Sequence, residues 1–283
     1  MAMDLEKQDS VMQSYRLKYK EEGYLHISNF FKDELIDQIR NEAKSIFKKQ
    51  LLRHNLVQND CSEVDFEAGL YQLFKSDLPT FINCGKQVQH LIGLHQLSLN
   101  DKLIEFIKQM GLEFPIISTR PVLFFNSKFL ATKETFWKTP PHQDWKSIQG
   151  SINSVVLWIP LLDIDVKLGA LEVIPKSHKL GLLYDETVDG FGMVTEEYRK
   201  DELYVPLEVS KGDIVLFSQF LIHRSGNNST KSIRWSCHFR YNDLEEDTFI
   251  ERGFPHNYNY GPKEDIIHPN FDTKKYTERY FNL

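Results

Sequence analysis

The stretch Thr139-Pro140-Pro141-His142-Gln143-Asp144-Trp145 organises the interpretation of the whole chain. Its two prolines favour an extended entry, because proline fixes φ and biases the residue before it away from helix. In an extended strand, side chains two positions apart point to the same face. We therefore expect the imidazole of His142 and the carboxylate of Asp144 to point the same way, as two of the three ligands of a metal ion.

The third ligand is expected from His223, which lies 81 residues further along the chain. There an apolar run ends in the histidine, and Gly226-Asn227-Asn228 then turns the chain. A His-x-Asp triplet alone is weak evidence, since a hydrogen-bonded pair explains it equally well. With His223 added, the set matches the two-histidine, one-carboxylate triad that binds Fe(II) and leaves three octahedral positions open.

A strand with two contrasting faces begins 11 residues after His223. The run from 234 to 241 alternates strictly, so its residues divide between two faces. The polar face carries Arg234, Ser236, His238 and Arg240, and the other carries Trp235, Cys237, Phe239 and Tyr241. This pattern is typical of a barrel strand that lines a pocket for an anion. Arginine suits that role, because its planar guanidinium binds a carboxylate through two parallel hydrogen bonds.

The rest of the chain changes character at Gly111. Before it, helical periodicity predicts helices near 32–52, 67–75, 79–95 and 101–110, the last with Asn100 as its N-cap. Residues 1–22 are predicted to fray or to form a short helix, and 23–27 to form a strand. After Gly111, strands are predicted near 116–119, 121–130, 142–147, 153–160, 170–174, 204–208, 214–218, 221–224 and 232–242.

Many short strands at regular spacing favour a mainly β fold with α: a double-stranded β-helix (a cupin-like jelly roll) with N-terminal flanking helices. We expect one domain over 1–283, with a mainly helical flank at 1–114, the jelly-roll core at 115–242 and a C-terminal segment at 243–283 that wraps the surface. Residues 175–203 interrupt the strands and are interpreted as a lid over the site.

Composition limits the other classes of function. A net charge of −6 gives no support to nucleic-acid binding. No apolar run reaches the roughly 18 residues of a membrane span. Three unclustered cysteines, with no secretory leader, predict reduced thiols and a cytoplasmic location. The sequence leaves the oligomeric state open.

The chain resembles the phytanoyl-CoA dioxygenase family of Fe(II)/2-oxoglutarate-dependent oxygenases. The resemblance rests on His142-Gln143-Asp144, His223 and Arg234, and on three further segments. These are Trp158-Ile159-Pro160-Leu161, the run from Gly169 to His178 that ends in Pro-x-Ser-His, and Lys211-Gly212-Asp213 before the strand that leads to His223. The likeness covers 115–242 well and the helical part only in general shape.

The resemblance implies a role for each of these residues. His142, Asp144 and His223 would bind Fe(II), and 2-oxoglutarate would chelate that metal. Arg234 would bind the distal carboxylate of 2-oxoglutarate with help from Ser225 or Ser236, and Trp158 would lie beside the co-substrate. Oxidative decarboxylation would yield succinate and carbon dioxide while oxygen hydroxylates a small-molecule substrate, with ascorbate as a reductant.

Several assignments keep two interpretations. His238 and Arg240 either contact substrate or belong to a satisfied buried network, and Arg240 could equally pair with Glu172 or Asp243. Trp145 is either a packing residue or a wall of the substrate site. At the level of function, the alternative is a jelly-roll metal protein or isomerase without oxygenase activity, which would have no need of Arg234. Desaturation, cyclisation or epimerisation in place of hydroxylation also stays open, as does the substrate.

Overall fold

The structure, a computed structural model, describes residues 2–183, 186–189 and 191–255. Eight α-helices are present in this part of the chain: α1 (Ala2–Glu22), α2 (Asp33–Arg53), α3 (Glu63–Ser76), α4 (Leu78–Val88), α5 (Ile92–Ser98), α6 (Asp101–Gln109), α7 (Trp145–Ile148) and α8 (Asp247–Glu251). The same described residues contain ten strands: β1 (Tyr24–Ile27), β2 (Pro115–Asn126), β3 (Val155–Pro160), β4 (Leu171–Val173), β5 (Glu186–Val188), β6 (Phe191–Met193), β7 (Val205–Leu207), β8 (Ile214–Ser218), β9 (His223–Ser225) and β10 (Arg234–Asp243).

Two antiparallel sheets form the core. The larger has the order β1-β8-β3-β10-β2, and the smaller has the order β7-β4-β9. The smaller sheet continues through single bridges from His142 to His223 and to Met193, which connect it to the β5-β6 hairpin. This arrangement confirms the predicted jelly-roll core with N-terminal flanking helices.

The larger sheet is buried on both faces because helices cover one face and the smaller sheet covers the other. In β3, Val155, Leu157 and Ile159 pack with the helices, while Val156 and Trp158 face the smaller sheet. All six residues of β3 are buried. The aromatic face of β10 packs toward the helices in the same way, which leaves its polar face inside the jelly roll.

The helix predicted over 79–95 is in fact two helices, α4 and α5. The chain breaks at Gln89 because this side chain turns inward to the edge strand β2. Its amide nitrogen donates to the carbonyl of Leu123 at 2.8 Å, and its amide oxygen accepts from the N–H of Leu123, also at 2.8 Å. Gln89 thus substitutes for the strand that β2 lacks on its outer side.

Three other boundaries differ from the sequence prediction. Residues 2–22 form one long helix, since Met12, Tyr15 and Tyr19 pack against the core. The two strands predicted at 116–119 and 121–130 are the single strand β2. The predicted strand at 142–147 is wrong: only His142 makes a bridge, and the chain then turns into α7. The remaining helix predictions are confirmed, including Asn100 as the N-cap of α6.

The segment 175–203 contains three single-turn helices and the β5-β6 hairpin. Met193 bridges His142, and the N–H of Val194 donates to the carbonyl of Pro141 at 3.2 Å. These bonds fix the segment beside the His142 motif, and its role as a lid stays a prediction. Of the expected C-terminal wrap, 243–255 are described and contain α8, while 256–283 lie outside the described residues.

Asp243 ties the end of β10 to the linker that follows α6. Its carboxylate accepts hydrogen bonds from the backbone N–H of Glu113 at 3.0 Å and Phe114 at 2.8 Å, and from the side chain of Asn153 at 2.8 Å. Burial alone would raise the pKa of Asp243, but these donors lower it below its ordinary value. The charged form is therefore the one that stabilises the fold.

We predict that Asp243→Asn lowers the free energy of unfolding at pH 7 by about 1–3 kcal/mol, because charge-assisted bonds become neutral ones. A carboxyl with a lowered folded pKa stabilises above its unfolded pKa and loses this contribution as the pH falls through the folded value. The difference between wild type and variant should therefore shrink below about pH 4. Urea denaturation at several pH values measures it.

The matched control for that measurement is Glu245→Gln, which removes an exposed carboxylate two residues away. It should change stability by less than about 0.5 kcal/mol at every pH. Equal effects of the two substitutions would contradict the role given to Asp243.

Candidate metal centre and its cavity

A backbone bridge brings His142 and His223 together. The N–H of His142 donates to the carbonyl of His223 at 3.0 Å, and the N–H of His223 donates back at 3.1 Å. Residues paired in this way across antiparallel strands place their side chains side by side on one face. The two imidazole centroids are accordingly 4.2 Å apart.

Both imidazoles are oriented by local backbone carbonyls. Nδ1 of His142 lies 2.8 Å from the carbonyl of Pro140, and Nδ1 of His223 lies 3.0 Å from the carbonyl of Leu221. A carbonyl only accepts, so each Nδ1 carries the hydrogen. In the neutral rings the lone pair then lies on Nε2, which is the atom that could bind a metal.

Asp144 reaches the same point through a turn. Its backbone is helical, at φ −66° and ψ −30°, and the N–H of Trp145 donates to the carbonyl of Gln219 at 3.0 Å. The expected strand geometry from His142 to Asp144 is therefore wrong, although the two side chains do converge. Oδ1 of Asp144 lies 3.4 Å from Nε2 of His142, and Oδ2 accepts from Nε of Arg240 at 2.9 Å.

The three predicted ligands form a set that suits one metal ion. One ligand atom from each of His142, Asp144 and His223 lies within 4.8 Å of the others, and the described residues contain no second such group. Because Nε2 of His142 and Oδ1 of Asp144 are both acceptors, a cation between them removes their repulsion. Two imidazoles and one hard carboxylate are a donor set that fits Fe(II).

The electrostatics favour ligands that need no deprotonation before a metal binds. Burial alone would raise the pKa of Asp144, but the positive charge of Arg240 holds it well below its ordinary value. Burial lowers the pKa of His223 to about 3. At neutral pH the site therefore offers a charged carboxylate and a neutral His223.

The cluster opens into a cavity of about 310 Å³ between the two sheets. Asp144 is the one acid among its lining residues, beside three arginines. The lining comprises Val122, Phe124, Thr139, His142, Asp144, Ile148, Trp158, Leu171, His223, Arg224, Ser225, Arg234, His238 and Arg240. A wider groove of about 890 Å³ among α2, α4 and α5 carries no comparable ligand group within the described ranges.

Arg234 is a buried cation in this cavity, with only 2% of its surface exposed. It donates to the carbonyl of Gly169 and, at 3.2 Å, to the hydroxyl of Ser225, while its Nε has no partner among the described residues. Burial lowers the pKa of Arg234 to about 10, so it remains charged at neutral pH. No carboxylate pairs with it in the part of the chain that is described. A buried guanidinium whose described partners are all neutral fits an acidic ligand.

The other residues singled out from the sequence divide into cavity and packing positions. Trp158, Ser225, His238 and Arg240 line the cavity. Ser236 does not: its hydroxyl contacts Nε2 of His238 at 3.3 Å. Trp145 stacks on Phe220, with centroids 5.2 Å apart, so the geometry favours packing over a substrate wall. Burial and the charge of Arg240 lower the pKa of His238, which is therefore neutral.

The alternative partners considered for Arg240 are wrong. Arg240 pairs with Asp144, while Glu172 accepts from Nε of Arg224 at 2.6 Å. Arg224 also stacks on the ring of Tyr204, 3.8 Å from its centroid. Arg224 was missed from the sequence, as were Val122, Ile148 and Leu171. The position of Arg224 directly after His223 could have indicated that it lies near the site. Its pairing with Glu172 could not be predicted, because the two strands are remote in sequence.

A family profile described as phytanoyl-CoA dioxygenase (PhyH) matches residues 19–236, which is most of the chain. The chain belongs to this family. The resemblance inferred from the His-Gln-Asp motif, His223 and Arg234 is thereby confirmed, and it extends over the helical flank. A 2-oxoglutarate-dependent dioxygenase is the enzyme class that this membership supports.

Comparison with individual relatives supports the same family assignment. The chain is 29% identical to the peroxisomal phytanoyl-CoA dioxygenase of Bos taurus over 233 residues, or 78% of this chain and 66% of the bovine one. It therefore spans just under two thirds of that relative's length. It is 25% identical over 279 residues to a phytanoyl-CoA dioxygenase domain-containing protein 1 homolog of Dictyostelium discoideum, covering 84% of this chain and 95% of the relative.

The fold has solved counterparts. The epimerase SnoN, solved in complex with Fe3+, alpha ketoglutarate and nogalamycin RO, superposes with a TM-score of 0.55 at 16% identity, covering 83% of this chain and 84% of SnoN. At this identity the likeness concerns the fold.

Among the described helices, none is long and apolar enough to traverse a bilayer.

We predict that His142→Ala weakens Fe(II) binding by roughly 100-fold or more, because only two of the three protein ligands then remain. Anaerobic Fe(II) titration measures this effect. The matched control is His90→Ala, which removes an exposed histidine on the helical flank. It should bind like wild type, and equal Fe(II) affinity in the His142 variant would remove His142 from the ligand set.

Proposed function

We propose that the chain is a non-haem Fe(II)/2-oxoglutarate-dependent dioxygenase that hydroxylates a small molecule with release of succinate and carbon dioxide. The single observation that carries this proposal is the shared cavity. It holds a His142-Asp144-His223 cluster suited to one metal and a buried Arg234 that pairs with no carboxylate of the described residues. A metal protein without an acidic co-substrate has no use for such an arginine.

The residues that line the cavity fall into two groups, one that would bind the metal and one that would bind the co-substrate. His142, Asp144 and His223 would hold Fe(II), which supplies redox chemistry with oxygen when 2-oxoglutarate chelates it. Arg234 would bind the far carboxylate of 2-oxoglutarate through its Nε edge, and the hydroxyl of Ser225 accepts a hydrogen bond from its Nη2. Trp158 forms the apolar wall beside the co-substrate. The protein thus positions the reactants and excludes bulk water.

The substrate is proposed only as a small molecule. The bovine relative is named for phytanoyl-CoA and the structural neighbour SnoN for an epimerisation, so the family name and the fold do not select one reaction. A cavity of about 310 Å³, which also has to accommodate 2-oxoglutarate, supports a compact reacting group.

We also propose a cytoplasmic location and ascorbate as the reductant that keeps the metal in the Fe(II) state. The location is supported by three free cysteines, two of them buried, which is the pattern of a reducing compartment.

The proposed function is tested by succinate release. Purified protein with Fe(II), 2-oxoglutarate, oxygen and ascorbate should form succinate, and a true substrate should accelerate this release and gain one oxygen atom. Zinc in place of iron should give no succinate. Tight zinc binding with no succinate from the iron-loaded protein, across a broad set of small molecules, would favour a metal-binding protein or isomerase.

We predict that Arg234→Met raises the KM for 2-oxoglutarate by roughly 10- to 100-fold, since it removes charge-assisted bonds to the far carboxylate. Fe(II) affinity should stay near that of wild type, because Arg234 does not contact the triad. Arg53→Met, which removes an exposed arginine at the end of α2, is the control. An unchanged KM in the Arg234 variant would show that another cation binds the co-substrate.

A further inference from the structure

The two oxygens of the Asp144 carboxylate have different surroundings. Oδ1 faces Nε2 of His142 at 3.4 Å, on the side of the ligand cluster. Oδ2 accepts from Nε of Arg240 at 2.9 Å. Both side chains are largely buried, with 7% of Asp144 and 15% of Arg240 exposed. A charge-assisted bond in such surroundings is strong and directional.

The backbone holds both partners in place. Asp144 is fixed by the turn into α7, where the N–H of Trp145 donates to the carbonyl of Gln219. Arg240 lies on β10 opposite Val156 of β3. The pairing of β10 with β2 shifts register on both sides of Arg240. Such irregularities redirect a side chain, which here points toward the metal motif.

The bond between Arg240 and Asp144 matters because a metal ion has a limited number of coordination positions. An octahedral ion has six positions. His142, His223 and one oxygen of Asp144 would take three of them and a chelating 2-oxoglutarate two more, which would leave one position for oxygen. A carboxylate that binds through both oxygens would take that last position. One oxygen of the Asp144 carboxylate therefore has to be held away from the metal by another residue.

We propose that Arg240 is a positioning residue that keeps Asp144 a one-oxygen ligand by holding Oδ2, so that one metal position stays open. This inference rests on the proposed function and goes beyond it, because the same triad could bind a metal without this restraint. Arg240 acts through Asp144. Lysine at this position would keep the charge but lose the rigid planar fork that fixes the orientation of the carboxylate.

The test counts water molecules on the metal. Mn(II)-loaded protein saturated with 2-oxoglutarate is examined by water-proton relaxation, which reports exchangeable water bound to the ion. Wild type should retain one such water. Arg240→Met and Arg240→Lys should retain none, and in the iron-loaded variants succinate formation should fall by at least about 10-fold. Arg53→Met should match wild type in both measurements.

Each outcome decides between the interpretations. One retained water and wild-type succinate formation in Arg240→Met would overturn the inference while leaving the proposed function intact. Loss of the water in Arg240→Met but not in Arg240→Lys would show that Arg240 acts only as a neutralising charge, which also overturns it. If Arg240→Met does not fold, the lysine variant alone decides. A wild-type protein that binds neither Mn(II) nor 2-oxoglutarate would refute both proposals together.

Discussion

The pair of backbone hydrogen bonds between His142 and His223 is the contact on which the site depends. At 3.0 and 3.1 Å, these bonds join segments 81 residues apart and place their imidazoles side by side. The same pairing extends the smaller sheet toward the β5-β6 hairpin, because His142 also bridges Met193. Sheet formation and assembly of the ligand cluster are therefore one structural event. A slip of one residue in this pairing would turn an imidazole to the other face.

The polar face of β10 places two arginines in the cavity and gives them separate environments. Within the described ranges Arg234 has only neutral partners and its Nε has none, so it suits an acidic ligand that arrives from outside. Arg240 already has a charged partner in Asp144. Strand alternation explains how both side chains reach the interior, while the aromatic face of the same strand packs against the helices. One strand thus supports the core on one side and the chemistry on the other.

Much of the site could be predicted because its signals are local. The alternation of β10 is visible within eight residues, and the apolar run that ends in His223 marks a strand end. Long-range features could not be predicted. The turn after His142 depends on the carbonyl of Gln219, and the break after α4 depends on Gln89 reaching β2. Likewise, the ion-pair partner of Arg240 could not be predicted from the sequence, since Glu172, Asp243 and Asp144 are equally plausible by charge alone.

We propose that two histidines and one aspartate hold a single iron that 2-oxoglutarate would chelate. X-ray absorption at the iron edge of the anaerobic Fe(II)-loaded protein measures this arrangement. We expect one iron per chain, with two imidazole nitrogens and otherwise oxygen ligands, and a chelate signature that replaces water when 2-oxoglutarate is added. Sulfur ligands, a single imidazole, or a spectrum that 2-oxoglutarate does not change would contradict it.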